Sequence, residues 1–264
     1  MFHLYLKIIK DYWKSTTWFS IGMGLIGIYV ISVYPSFEKS SDEFNKVIGN
    51  LPEAIKIVIG EGSMSSIEGF MNLEIFQLFA PIVISIYAVT KGASSIAGEE
   101  ESHTLDQLLS LPISRISVIL QKSFALYTGV FLVCFGLWIG IIIGGITINY
   151  PLSQINIIAA SFSLFIYGIS VSSLAIFFSS ISGKRGLSAG LTSAIILVSY
   201  IINSLSSIVS SLEPLKFSSI FYYYNENIVI VNGLKFNHIS ILFCISIVFL
   251  LIGIIKFNSR DLNN

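Results

Sequence analysis

Charge is the scarcest property of this 264-residue chain. Only 11% of its residues are Asp, Glu, Lys or Arg, against roughly a quarter in an average soluble domain. A water-facing surface of ordinary size cannot be built from so few. Neither sign is in excess. Fifteen basic residues balance fifteen acidic ones, so no global field attracts nucleic acid or an acidic substrate. Cysteine is almost absent, and Cys134 and Cys244 both lie within apolar runs. They read as small buried thiols, not as a disulfide or redox pair. His3, His103 and His238 are far apart and no H-E-x-x-H occurs, so the sequence predicts no metal site. No G-x-x-x-x-G-K-[ST] is present either; the chain has no P-loop with which to cradle a nucleotide. No G-x-S-x-G stands with a partner acid and base, and the apolar runs offer almost no Asp, His or Lys beside a nucleophile. That argues against intramembrane hydrolysis and against a classical ion-coupled transporter. No catalytic residue is assigned.

What the chain has in abundance is hydrophobic length, with 54% of residues apolar. A membrane-crossing helix needs about 20 mostly apolar residues. Six stretches qualify, at about 16–34, 73–97, 124–146, 155–181, 187–210 and 239–256. The fold class expected is an all-α integral membrane protein forming one transmembrane domain. Ahead of the first span, His3, Lys7, Lys10 and Lys14 share one helical face, and Phe2, Tyr5, Ile9, Tyr12 and Trp13 cover the other. Residues 1–15 therefore read as an amphipathic helix in the headgroup region with its lysines toward anionic lipid, or, more simply, as a positive flank to the span. Lysine and arginine in the short polar segments (Lys7, Lys10, Lys14, Arg115, Lys122, Lys184, Arg185, Lys256, Arg260) gather on one side. The positive-inside rule then makes both termini cytoplasmic. Of the outer segments, "LPEAIKIVIGEGSMSSIEGF" predicts one or two short helices, and the tyrosines of "FYYYNENIVIVNG" suit an interfacial aromatic belt.

One polar cassette interrupts the hydrophobic text: "GEEESHTLDQLLSLPISR", Gly98 to Arg115. Glu99, Glu100 and Glu101 lie where span two ends and can form the acidic first turn of a short helix. Leu105, Leu108 and Leu109 then share one face, opposite Asp106, Gln107 and Ser110. Pro112 ends the helix, Ser114 caps the next one, and Arg115 sits near the headgroups. The result is an amphipathic helix about two turns long. Two readings are open: it rests on the membrane surface, or its leucine ridge docks a soluble partner. Elsewhere, "SVSSLAIFFSSIS" reads as small polar residues packing helix on helix. Span five carries Ser188, Thr192, Ser193, Ser199, Asn203, Ser206 and Ser207. Within it, Ser199, Asn203 and Ser206 are candidates to line a substrate path, with helix packing the equal alternative.

"IAGEEESHTLDQLLSLPISRISVILQK" closely resembles the cytoplasmic signature of ABC-2 type transporter permeases, on Glu99–Glu101, Thr104, Leu105, Leu108, Leu109, Pro112, Ser114, Arg115 and Lys122. "LPEAIKIVIG", "SSIEGFMN" and "SSISGKRGLSAG" resemble loops of six-span members, so the likeness covers most of the chain. His103 stands where such permeases usually have glycine, and a less sharply bent helix start is expected there. The resemblance implies a membrane subunit of an ATP-driven transporter, usually an exporter, paired with a second permease subunit in a homo- or heterodimer. A separate ATPase subunit would bind ATP and magnesium, and this chain would hold no cofactor. Residues 98–122 would be the coupling segment, docking the ATPase through Glu99, Glu100, Glu101, Thr104, Leu105, Leu108, Leu109, Pro112 and Arg115, with Lys184 and Arg185 as a second contact. The missing P-loop agrees with a chain that takes its free energy from a partner. An amphipathic or hydrophobic substrate is preferred, because no ring of charge marks an ion path. The alternative is a non-transporting membrane scaffold or sensor that docks a cytosolic protein through 98–115.

Overall fold

The computed structural model describes residues 3–49, 66–110, 112–206, 208–226 and 228–260, and its elements are all helical. The helices expected at 51–65, together with Ser207, lie outside the described residues. Six helices are long and apolar enough to cross a membrane. They are α1 (His3–Gly49), α2 (Ile67–Ser95), α5 (Arg115–Thr147), α6 (Gln154–Ser182), α7 (Arg185–Ser206) and α10 (Phe236–Ser259). Two short helices, α3 (Ala97–Glu101) and α4 (Leu105–Leu109), link α2 to α5. A 3-10 segment (Ser210–Ser218), α8 (Ile220–Asn225) and α9 (Val229–Asn232) link α7 to α10.

The N-terminal amphipathic stretch is not a separate element. Nothing between His3 and the first span breaks a helix, and α1 runs 47 residues without interruption, about 70 Å of rod. His3, Lys7, Lys10 and Lys14 share an exposed face. Leu4 and Ile8 on the other side are buried against Val118 and Ala125 of α5. Part of the apolar face of this stretch is thus covered by protein, while Trp13 stays exposed.

The centre of the bundle is α6, the most buried of the six long helices, packed by α2, α5, α7 and α10. Its serines explain why it can be central. Ser161, Ser163, Ser170, Ser172, Ser173, Ser179 and Ser180 are all buried, and small residues let backbones approach where no hydrophobic effect drives helix association. The hydroxyls of Ser170, Ser172, Ser173, Ser179 and Ser180 are bonded: Ser170 meets Ser246 Oγ at 2.9 Å and donates to the Leu242 carbonyl at 3.0 Å, both on α10. The same device joins α1 to α5. Gly136 and Gly140 of α5 face Ser20 and Gly24 of α1, and a Cβ on Gly140 would fall 2.6–2.7 Å from the Gly24 backbone.

In α2, residues Asn72–Phe79 wind as a π-helix. Tyr224 of α8 donates to the Phe76 carbonyl at 2.6 Å, tying this wide turn to the far end of the bundle. At that end the Glu226 carboxylate accepts from Tyr222 at 3.0 Å and pairs with Lys235 at 3.3 Å. Burial, then the Glu226 hydrogen bond, pushes Tyr222 up to about 12.

Candidate functional site

The cassette folds as two short helices joined by a tight turn, and the three glutamates belong to the first. Thr104 N–H donates to the Glu99 carbonyl at 2.9 Å and His103 N–H to the Glu100 carbonyl at 3.0 Å. That pair of bonds is the Schellman ending of a helix, which needs a left-handed residue at its penultimate position. His103 supplies it with φ +55°. The turn is therefore as sharp as a glycine would make it, contrary to the gentler bend expected. The strain falls on His103, because a side chain costs about 1 kcal/mol or more in this region. Substituting His103→Gly should raise the thermal stability of the purified chain by about 1 kcal/mol, and an unchanged or lower melting temperature would contradict the strain.

Each glutamate is bound within the chain. Glu99 forms a 2.5 Å ion pair with Lys122 of α5, whose side chain is 3% exposed. The same ammonium donates to the Ser95 carbonyl at the end of α2. Glu100 pairs with Arg260, just past α10. Arg260 in turn donates to the Ser180 carbonyl in the last turn of α6 at 3.1 Å. Glu101 Oε1 accepts the Arg185 backbone N–H at 2.9 Å, placing a carboxylate at the positive N-terminus of α7. Arg115 donates to the Phe257 and Arg260 carbonyls at 3.1 and 2.7 Å, closing the C-terminus of α10. At the α2–α3 junction, Ser179 Oγ accepts from Ala97 N–H at 2.8 Å and donates to the Ala93 carbonyl at 2.9 Å.

Gly183 makes room for this network. It ends α6 with φ +61°, and a Cβ there would meet the Glu100 carboxylate at 2.7–2.8 Å.

The leucine ridge faces inward, which corrects the docking surface expected from sequence. Leu105 is 1% exposed and belongs to the core. Leu108 and Leu109 are partly buried between that core and the α1–α5 cluster. Outside the bilayer an amphipathic helix buries its apolar face on protein, so its polar face is what remains available. Glu101, Ser102, His103, Thr104, Asp106, Gln107, Ser110, Pro112 and Ser114 are the exposed positions among the described residues of the cassette. Asp106 and Gln107 were legible as the face opposite the leucines, but not as the accessible one. Ser114 caps α5 by accepting from Ser117 N–H at 3.2 Å. Lys184 and Arg185 are exposed and, through Glu101, adjoin the cassette as one surface.

Two of the candidate path residues on α7, Ser199 and Ser206, are turned into the protein. Ser188, Thr192, Ser199 and Ser206 are its buried positions. Ser199 meets Ser219 Oγ at 2.9 Å and accepts from Phe221 N–H at 3.0 Å, anchoring the start of α8. Ser206 donates to the Asn203 carbonyl at 3.0 Å; Asn203 is half-buried. Against lipid, hydroxyls turn toward protein and the apolar face turns out. An open apolar cavity of about 700 Å³ lies instead between α2 and α7. Gln77, Ser85, Thr90, Ser193 and Tyr200 are its polar lining, and Ser85 meets Tyr167 Oη at 2.8 Å. Among the described residues, no group of three or more His, Cys, Asp or Glu converges as a metal site.

A sequence model of one known family, described as ABC-2 family transporter protein, matches residues 9–262. No curated protein and no solved structure matches the chain.

Proposed function

The chain belongs to the ABC-2 transporter family, and from that premise we propose that it is the membrane-spanning permease subunit of an ATP-driven exporter. Its free energy comes from a separate ATPase subunit, which holds the ATP and magnesium, and it works beside a second permease subunit, identical or not. The cassette end is the cytoplasmic side of the cell membrane, with both termini on it.

One observation carries this reading. The helix bearing Glu99, Glu100 and Glu101 is bonded to the ends of α2, α5, α6, α7 and α10 through Lys122, Arg260 and the Arg185 amide. A push on so connected an element moves five spans together. A partner whose closure is favoured by ATP binding can then bias the bundle between two arrangements. Contact is made by the exposed polar face, with His103, Thr104, Asp106, Gln107 and Pro112 foremost and Lys184 beside it. The leucines hold that face in position from beneath. The cavity between α2 and α7, apolar with a few hydroxyls and one amide, suits an amphipathic or hydrophobic substrate.

Reversing charge on the contact face tests the coupling. Asp106→Lys with Gln107→Lys should reduce co-purification of the ATPase about tenfold or more. Because both side chains are exposed, the melting temperature of the isolated chain should not move. Full ATPase binding by the double variant would remove the cassette from the interface.

A further inference from the structure

Pro81 lies inside α2, just beyond the last wide bond of the π-helical segment. That bond joins the Ala80 N–H to the Ile75 carbonyl, five residues back. The next one would join residue 81 to the Phe76 carbonyl, and a proline has no N–H to give. Ordinary α-helical winding would serve Phe76 through Ala80 instead. It would also press the Pro81 ring on the Gln77 carbonyl and leave that carbonyl without a donor. Two windings therefore compete, and each strands one carbonyl. In a helix that crosses a bilayer, a stranded carbonyl has to find its partner within the protein.

Tyr224 is that partner for the π winding. Its hydroxyl donates to the Phe76 carbonyl at 2.6 Å in a buried contact. Its ring is fixed from the side, with centroids 4.9 Å from Tyr167 and 5.6 Å from Phe221. Tyr167 in turn meets Ser85 Oγ at 2.8 Å, one turn beyond Pro81. Two stacked tyrosines thus grip α2 on either side of the proline. Tyr167, Phe221, Pro81 and Ser85 all line the cavity of about 700 Å³ between α2 and α7, and Gln77 is its one side-chain amide. A π-helix turns less per residue than an α-helix, so the winding decides which way Gln77 faces.

We propose that Tyr224 is a positioning residue for this cavity: by taking the Phe76 carbonyl it selects the π winding of residues 72–79 and turns Gln77 into the cavity wall. When that bond is released, the Phe76 carbonyl passes to the Ala80 N–H. The segment then rewinds as a proline-kinked α-helix, and Gln77 rotates away from Tyr200 on the opposite wall. What this means for substrate choice rests on the cavity being the substrate site; the winding itself does not. In that role Gln77 is the amide that reads a polar group on an otherwise apolar molecule.

Cysteine cross-linking measures the winding with no substrate and no ATPase. The full-length chain carries Cys134→Ala and Cys244→Ala, so that only introduced thiols react. Gln77→Cys is paired with Tyr200→Cys, and Ile82→Cys with Leu197→Cys as the reference pair beyond Pro81; all four positions line the cavity, on α2 and α7. A short bis-maleimide should join both pairs. Adding Tyr224→Phe removes the hydroxyl and keeps the ring. Loss of one buried hydrogen bond shifts a two-state equilibrium about tenfold, so the 77–200 rate should fall by about that factor while the 82–197 rate holds. Pro81→Ala restores the missing donor and removes the ring clash. It should slow the 77–200 pair likewise with Tyr224 intact, and it decides the matter if Tyr224→Phe fails to fold. An unchanged 77–200 rate in folded Tyr224→Phe would overturn the proposal. An equal fall in both pairs would also overturn it, since the hydroxyl would then be a general brace. Because no substrate enters the assay, a mistaken assignment of the cavity would leave these rates as expected.

Discussion

Replacing Glu99 by glutamine is expected to destabilise the chain far more than replacing its partner Lys122 by methionine. The pair is asymmetric: the Lys122 side chain is 3% exposed and that of Glu99 33%. Glu99→Gln leaves an ammonium sealed inside protein with the Ser95 carbonyl and no counter-charge. Stranding a buried charge costs about 3–5 kcal/mol, and the partial exposure of Glu99 places this case near the lower figure. Lys122→Met removes the buried charge itself, and the side chain that carries the carboxylate left behind is one-third exposed. The measurement is thermal unfolding of the purified variants. Glu99→Gln should lower the melting temperature by about 10 °C, Lys122→Met by much less, and the double variant should recover most of the Glu99→Gln loss. Equal losses from both single variants would show that the pair is not sealed as described.

The second large effect lies within the membrane. Gly140→Val should abolish recovery of monodisperse protein, because a Cβ at residue 140 meets backbone, not a side chain that can rotate away. It would stand 2.6 Å from Gly24 Cα and 2.7 Å from the Gly24 carbonyl carbon. The only relief is to move α1 away from α5, opening the contact that also holds Gly136 against Ser20. Overpacking that side-chain motion can absorb costs about 1–3 kcal/mol; backbone against backbone exceeds it. Gly190→Ala is the matched control. Nothing lies within 4 Å of a Cβ there, and alanine is better than glycine inside a helix by about 1 kcal/mol. That variant should be recovered at least as well as the wild type. Normal yield and melting temperature for Gly140→Val would mean that α1 and α5 do not touch through these glycines.

Much of the architecture is legible in the sequence because it depends on local pattern. The six apolar runs map onto six helices, since crossing a bilayer demands length and hydropathy and little else. Ser114 read as a cap and is one, because capping involves only the residues next in sequence. The leucine spacing of the cassette defined a face correctly, and Pro112 and His103 bounded it. What spacing could not say is which face looks outward. Outside the bilayer the apolar side of α4 turns in, and inside it the hydroxyl side of α7 turns in, so one amphipathic pattern has opposite senses in the two solvents.

The sequence by itself determined that this is a six-span helical membrane chain with a polar cassette between its second and third spans and no P-loop of its own. Hydropathy, spacing and motif are properties of neighbouring residues. Only the tertiary structure decided what the cassette is for within the fold. Glu101 meets an amide 84 positions away and Glu100 an arginine 160 positions away. A carboxylate's range is a few ångströms, and its partner is fixed by which helix ends the packing of α6 and the glycine contacts of α1 and α5 bring together. That is how three glutamates that look like bait for a partner become the bonds joining the cassette to five spans.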